Sequence, residues 1–307
     1  MPLYNKAAQV GEAIASVLAQ TANDWELIVV DDGSIDGGAA LVRALDDPRI
    51  RVVTQVNAGV SAARNRGIGM ARADLVAFLD ADDLWLPEFL ETILALRADF
   101  PEARWFATGY EIHPPHGAMF ASRLHGAARS FSRGILPGYF NMAILSDPPV
   151  CSSAVAMHRD AIQSIGGFPI GVGSGEDLLT WARLAARFPL AYEARPLAVF
   201  MVSGIERRPD PADRVGKALA QLMREFPATA GLGNYLGLWY RMQAVMAMRF
   251  GDTALARQRA WLAVRHGHGQ LRNVYTLALA MLPAVWRAAL DARLRGLLGR
   301  QKGTLAS

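Results

Sequence analysis

Asp80-Ala81-Asp82-Asp83 places three carboxylates directly after the apolar run Leu75-Val76-Ala77-Phe78-Leu79. A short continuous apolar run reads as a buried strand, so the acids stand where that strand leaves the core. Carboxylates spaced i, i+2 on an emerging strand point the same way. They can share one hard divalent cation, Mg²⁺ or Mn²⁺, of the kind held by one or two carboxylates together with substrate phosphates. The same residues also suit an ordinary strand-to-helix turn in which Asp83 caps a helix beginning near Leu86-Pro87-Glu88.

Two further acidic pairs sit at comparable junctions. Asp31-Asp32-Gly33-Ser34 follows the strand-like run 25–30, and Glu176-Asp177 follows the glycine-rich stretch 171–175. Either pair can be a local turn or a helix cap, since Asp side chains bond nearby backbone readily. The stretch 171–175 lacks the strand-then-helix setting of a dinucleotide site and is read as a mobile loop bordering the site. His113, His116, His125 and His158 have no metal-ligand spacing, and His266 with His268 reads as a helix-end turn. Cys151, the only cysteine, excludes an internal disulfide and is read as a small buried residue in a reducing compartment.

The elements that must position these acids alternate. Ala13, Ile14, Val17 and Leu18 share one helical face, and strands are predicted at 25–30, 50–54 and up to Asp80. Helices are predicted near 39–45, 60–71 and 87–98, with a strand at 104–110. Strands separated by helices imply parallel pairing with right-handed crossovers, and ligands in such sheets bind outside the carboxyl ends of the strands. Asp31-Asp32 and Asp80-Ala81-Asp82 both fall at such ends. Residues 113–147 read as loops with a short helix, 150–157 as a strand, and a helix starts at Glu176-Asp177 and runs through Trp181 and Leu184. Beyond Pro209 and Pro211 the pattern is helical, near 212–225, 232–250, 252–266 and 271–299, with Gly251-Asp252 as a stop and an N-cap. The stretch 234–282 could form a tetratricopeptide-like hairpin.

The chain has 307 residues, 52% of them hydrophobic, and a net charge of +4. That length suits two modest domains, here 1–205 and a helical region 206–307. The charge is uneven: residues 1–204 hold 16 Lys and Arg against 22 Asp and Glu, and the rest hold 16 against 6. A basic tail with Leu, Trp and Ala among its arginines fits an anionic lipid surface better than nucleic acid. The alternatives are a solvated helical face or a self-association surface. The opening Met1-Pro2-Leu3-Tyr4-Asn5-Lys6 lacks a signal-peptide pattern, and no apolar run reaches membrane-spanning length, so the expected location is cytoplasmic, peripheral on the membrane face.

The assembled pieces resemble the inverting glycosyltransferases of family 2. They are Pro2-Leu3-Tyr4-Asn5, Gln20-Thr21, the run 26–34, the run 57–67 containing Ala63-Arg64-Asn65-Arg66-Gly67, Phe78-Leu79-Asp80-Ala81-Asp82-Asp83, Gly166-Gly167-Phe168, and Glu176-Asp177 with Trp181 and Arg183. They occur in the family's order and cover about residues 1–205. The resemblance implies an α/β GT-A fold, a mostly parallel central sheet flanked by helices, and transfer of a sugar from a nucleotide diphosphate donor, a UDP-sugar, to a hydroxyl acceptor. It implies a place in cell-surface polysaccharide or lipid-linked glycan assembly. It also implies roles. Asp32 would read the base, with Pro2 and Tyr4 lining its pocket. Asp80, Ala81 and Asp82 would be the DXD motif, facing the donor and holding Mg²⁺ or Mn²⁺ chiefly through Asp82. Arg64 would grip the pyrophosphate, or else partner the neighbouring acids. Asp177 would be the catalytic base, kept ionised by the positive end of its helix, and Glu176 its support.

In one respect the chain departs from the family. The family's first strand carries several apolar residues before the Pro-x-Tyr-Asn motif, and here Met1 directly precedes Pro2. The expectation is an upstream start or a central strand cut short. Two other readings use the same residues: a sugar-nucleotide nucleotidyltransferase, which would want a Gly-rich basic loop that 7–11 does not supply, and an inactive nucleotide- or glycan-binding module.

Overall fold

The computed structural model describes residues 1–125, 130–202 and 207–283. The chain forms two compact units, Met1–Ile205 with Lys217–Gly231, and Glu206–Gly216 with the residues from Leu232 on.

The first unit opens with β1 (Pro2–Leu3), α1 (Val10–Leu18), β2 (Leu27–Asp31), α2 (Gly38–Arg43), β3 (Ile50–Thr54), α3 (Val60–Met70) and β4 (Leu75–Phe78). Val10, Ala13, Ile14 and Val17 bury one stripe of α1, and all five residues of β2 are buried. β1, β2 and β3 pair in parallel, as strands joined by single helices must. Met1 donates its ammonium to the Ile28 carbonyl at 2.9 Å. Met1 also lines an apolar cavity of about 300 Å³ with Ile28, Ala63, Phe78, Trp85 and Ile93.

The second half of this unit contains β5 (Leu84–Trp85), α4 (Phe89–Asp99), β6 (Trp105–His113), β7 (Phe120–Ala121), β8 (Arg133–Ile135), α5 (Tyr139–Leu145), β9 (Val155–His158), α6 (Arg159–Ser164), α7 (Glu176–Ala185) and β10 (Leu190–Met201). The second sheet runs β4-β9-β6-β10-β5, with β7 against β6 and β8 against β10. β6 and β10 are parallel. β9 returns antiparallel to both β4 and β6, and β5 is antiparallel to β10. Parallel pairing thus holds where helices make the crossovers and gives way to antiparallel pairing where the long segment 113–154 brings the chain back.

Several elements differ from the sequence-based expectation, among them the short strands β7 and β8 within the stretch 113–147 read as loops with one helix. The predicted strand 150–157 begins only at Val155, because Ser152–Ala154 form a 3₁₀ turn. β10 carried no sequence signal because Arg195-Pro196 interrupts its apolar run. The strand accommodates them by shifting register around Pro196, and the bulge passes so close to Gly109 that a Cβ there would lie 2.5 Å from the Ala194 carbonyl oxygen.

α8 (Arg214–Glu225) spans the division between the units. The second unit is built on α9 (Leu232–Arg249), α10 (Thr253–His266) and α11 (Leu271–Met281). Asp252 caps α10, accepting from the Leu255 N–H at 2.9 Å, as Gly251-Asp252 suggested. Buried Ala244, Ala247, Ala256, Ala260 and Ala280 allow the three helices close approach. The predicted helical continuation to 299 lies outside the described residues. At the centre of this unit the Arg259 guanidinium meets Asp213 at 2.8 Å, both buried, and the Trp239 indole N–H adds a contact to Asp213 at 3.4 Å. Removing one member leaves a buried unpaired charge. Arg259→Ala is expected to destabilise the second unit by about 3–5 kcal/mol, read as a lower urea midpoint, whereas a surface change such as Arg257→Ala should shift it far less.

Candidate active site

α3 is the element on which the site is assembled. Gly59 precedes it, and the Gly59 N–H donates to Asp32 Oδ2 at 2.8 Å. Ala58 N–H and Gln55 Nε2 donate to Asp32 Oδ1 at 2.9 and 2.7 Å. Asp32, at 3% exposure, therefore staples the end of β2 to the loop 55–59. Both oxygens of its carboxylate thus accept hydrogen bonds from that loop. Asp31 likewise bonds locally, accepting from the Ser34 N–H at 2.9 Å. Tyr4 is half exposed beside them, and Pro2 lies in register with Val30.

One turn into α3, Arg64 is buried, and its Nη2 donates to both Asp80 oxygens at 2.7 and 2.9 Å. Its Nη1 lies 3.8 Å from Glu176 Oε1, and the guanidinium packs over the Phe168 ring at 5.1 Å. Burial alone would lower the Arg64 pKa, but Asp80, then Glu176 and Asp177, raise it overall. Of the two roles open to Arg64, its contacts in this fold are those of a partner to the acids.

The next residue does the mechanical part. Asn65 Nδ2 donates to the Phe168 carbonyl and its Oδ1 accepts from the Phe168 N–H, both at 2.8 Å. Gly167, at φ +72°, passes so near that a Cβ would lie 2.5 Å from Asn65 Oδ1. Phe168 packs edge-on against Phe78 and Trp181, with centroids 5.2 and 5.7 Å apart. The short motifs Ala63-Arg64-Asn65, Gly166-Gly167-Phe168 and Trp181 thus form one physical cluster. It brings the end of β4 and the start of α7 to a common edge.

At that edge the Asp80 and Asp82 side chains are 26% and 22% exposed. Ala81 is buried in the core and can offer a donor only its backbone. Among the described residues no group of three or more His, Cys, Asp or Glu could hold a metal ion. A cation placed here would have the two carboxylates and would draw its other ligands from phosphates and water, as Mg²⁺ commonly does. Lys6 Nζ reaches Asp82 Oδ2 at 2.5 Å.

Asp177 opens α7, and its Oδ1 accepts from the Leu178 N–H at 2.7 Å. Its pKa is raised above the ordinary carboxylate value, although the helix end acts to lower it. Burial outweighs the Leu178 bond and the Arg64 charge, and Asp80 adds repulsion.

Asp83 and Ser153 escaped sequence reasoning. Asp83 does not cap α4. It is buried and accepts from Ser153 Oγ at 2.5 Å and from the Met201 N–H at 2.8 Å. Ser153 Oγ in turn accepts from the Asp80 N–H at 3.0 Å, and the Trp85 indole N–H donates to the Ser153 carbonyl at 2.6 Å. Nothing in Cys151-Ser152-Ser153 signals this role, because the partners lie about 70 residues away in sequence.

Residues 1–164 match the family described as "Glycosyl transferase family 2". The chain belongs to glycosyl transferase family 2. An uncharacterized glycosyltransferase of Rickettsia felis is 30% identical over 208 residues, covering 66% of this chain and 32% of that protein. The succinoglycan biosynthesis protein ExoO of Rhizobium meliloti is 45% identical over 97 residues, 31% of this chain and 28% of that protein. The chain thus spans about a third of the length of the curated relatives it matches. The crystal structure of S. aureus TarS 1-349 in complex with UDP-GlcNAc superposes with a TM-score of 0.65, covering 91% of this chain and 88% of that one at 14% identity. This family 2 chain therefore has the GT-A architecture, with relatives in polysaccharide biosynthesis. No described helix is long and apolar enough to cross a membrane.

Burial, with the Asp80 charge behind it, pushes the Asp83 pKa up to about 8 from its ordinary 3.8. The folded state then holds a proton that the unfolded state releases. The resulting stabilisation is complete below the unfolded pKa and is lost as pH rises towards 8. In metal-free buffer the wild type should lose stability relative to Asp83→Asn from pH 5 to 8, by up to about 1.4 kcal/mol per unit. Parallel pH profiles of the two urea midpoints would refute this.

Proposed function

We propose that this family 2 member transfers a sugar from a UDP-sugar to a hydroxyl acceptor with inversion, in cell-surface polysaccharide or lipid-linked glycan assembly. What supports the reading is the convergence on Arg64 of the strand-end carboxylate Asp80 with Glu176 and Asp177, from nearly 100 residues further on. Family membership and the UDP-GlcNAc complex of a protein with the same fold support the nucleotide-sugar donor.

Tyr4 and Pro2 line the base pocket, and Asp32, which also fixes the loop 55–59, reads the base. Asp80 and Asp82 hold a divalent cation, Mg²⁺ or Mn²⁺, with Asp82 the direct ligand; when bound, it neutralises charge on the departing diphosphate. Asp177 takes the proton from the acceptor hydroxyl as that oxygen attacks the anomeric carbon. The carbon–oxygen bond to the diphosphate breaks, and its electron pair leaves with UDP. One displacement inverts the anomeric centre. A raised pKa suits Asp177 to this task, since general bases work best nearer the operating pH.

Asp177→Asn should lower turnover by about 10²–10⁴-fold, measured as UDP release from UDP-sugars with Mn²⁺, while donor affinity changes little. Asp82→Asn should instead weaken Mn²⁺-dependent donor binding. The wild-type rate should fall as pH drops through a pKa above the ordinary carboxylate range, because the base must be ionised. Full activity in Asp177→Asn would sink the assignment of the base. Donor binding without UDP release in the wild type would favour a binding module.

The second unit is proposed to rest on the anionic cytoplasmic face of the membrane. α10 and α11 expose Trp261, Leu271, Val274 and Tyr275 and carry the exposed Arg257, Arg265 and Arg272, and Arg265 lies 5.3 Å from the Trp261 ring. Aromatic and basic side chains together suit an interfacial surface. Trp261→Ser with Arg265→Gln should reduce co-sedimentation with vesicles containing phosphatidylserine. Equal sedimentation would remove the idea.

A further inference from the structure

Lys6 lies on the turn after β1, and this turn is fixed at its root. The Lys6 carbonyl accepts from the Gln9 and Val10 N–H groups at 3.0 and 2.9 Å, and the Ala7 N–H donates to Asp36 at 2.7 Å. On the other side Gly38 packs so closely that a Cβ would lie 3.3 Å from the Ala7 backbone. The Lys6 side chain is 31% exposed, so its stem can swing while its base cannot. Its ammonium lies 2.5 Å from Asp82 Oδ2, while Arg64 is paired with Asp80. Each carboxylate of the strand-end pair already has a cation supplied by the protein. A dication approaching Asp82 must displace one of these charges, and until it does so it meets like charge at close range.

We propose that Lys6 is a tethered counter-ion that competes with the divalent cation for Asp82 and gives way when a diphosphate arrives. The inference rests on the reading of Asp82 as the cation ligand. A nucleoside diphosphate brings both the missing ligands and the negative charge that a displaced ammonium can pair with. Lys6 then becomes a positioning residue for the donor phosphates. Cation and donor bind as a linked pair, and Asp82 is not left holding a metal between turnovers.

The test measures Mn²⁺ binding to the intact protein by calorimetry, alone and with saturating UDP. Lys6→Ala and Lys6→Met should bind Mn²⁺ alone more tightly than wild type, by up to about fivefold, the size expected for releasing a partly exposed ion pair. Lys6→Arg should stay near wild type, as should Lys217→Ala, which removes the same charge from an exposed site on α8. With UDP present the gap should close or reverse. In the wild type itself, UDP should tighten Mn²⁺ binding, a readout that needs no substitution. Equal affinity for Mn²⁺ alone across wild type, Lys6→Ala and Lys6→Met, with Asp82→Asn still weakened, would overturn the counter-ion role and leave the cation site standing. Absence of Mn²⁺ binding in every variant, with and without UDP, would overturn both.

Discussion

The Arg64 guanidinium, buried on α3 between Asp80 and Glu176, is the interaction on which the site depends. Unpaired burial of such a charge would cost several kcal/mol, so the acids around it are held as firmly as they hold it. Two segments about 100 residues apart are thereby locked to one helix. The neighbouring Asn65 repeats the arrangement with neutral groups, clamping Phe168 through a reciprocal pair of hydrogen bonds. Charge sets the electrostatics of the edge, and the amide pair sets its geometry.

Two further buried carboxylates do similar work. Asp32 joins the end of β2 to the loop leading into α3, and Asp83 joins the turn after β4 to Ser153 and β10. Both are almost fully removed from solvent, with their oxygens occupied by hydrogen-bond donors. Of the clustered acids, Asp80, Asp82, Glu176 and Asp177 retain partial access to solvent. A stretch as uniform in sequence as Asp-Ala-Asp-Asp therefore divides into outward ligand candidates and an inward strut.

Much of this was legible beforehand. The alternation of apolar runs and helical faces located β2, β3, β4, α3 and α4, because each buries a continuous stripe set by local periodicity. The motif order carried the family, and helix punctuation at Gly251-Asp252 carried a boundary in the second unit. The features that local sequence leaves open share a cause. β10 was hidden by Arg195-Pro196, which only a bulge against Gly109 accommodates. Arg64 had two open roles because a guanidinium suits a carboxylate as well as a phosphate. Asp177 was expected to stay ionised because the helix end is visible in sequence and burial is not.

By itself the sequence determined which residues could do chemistry and on which strand ends and helix starts they stand. Those features follow from spacing within a few residues, where backbone periodicity fixes direction. Only the tertiary structure decided which carboxylates face outward, which are tied to Arg64 or Lys6, and how the pKa values of Asp83 and Asp177 move. These properties depend on desolvation and on partners far away along the chain, and neither quantity is encoded in any local pattern of residues.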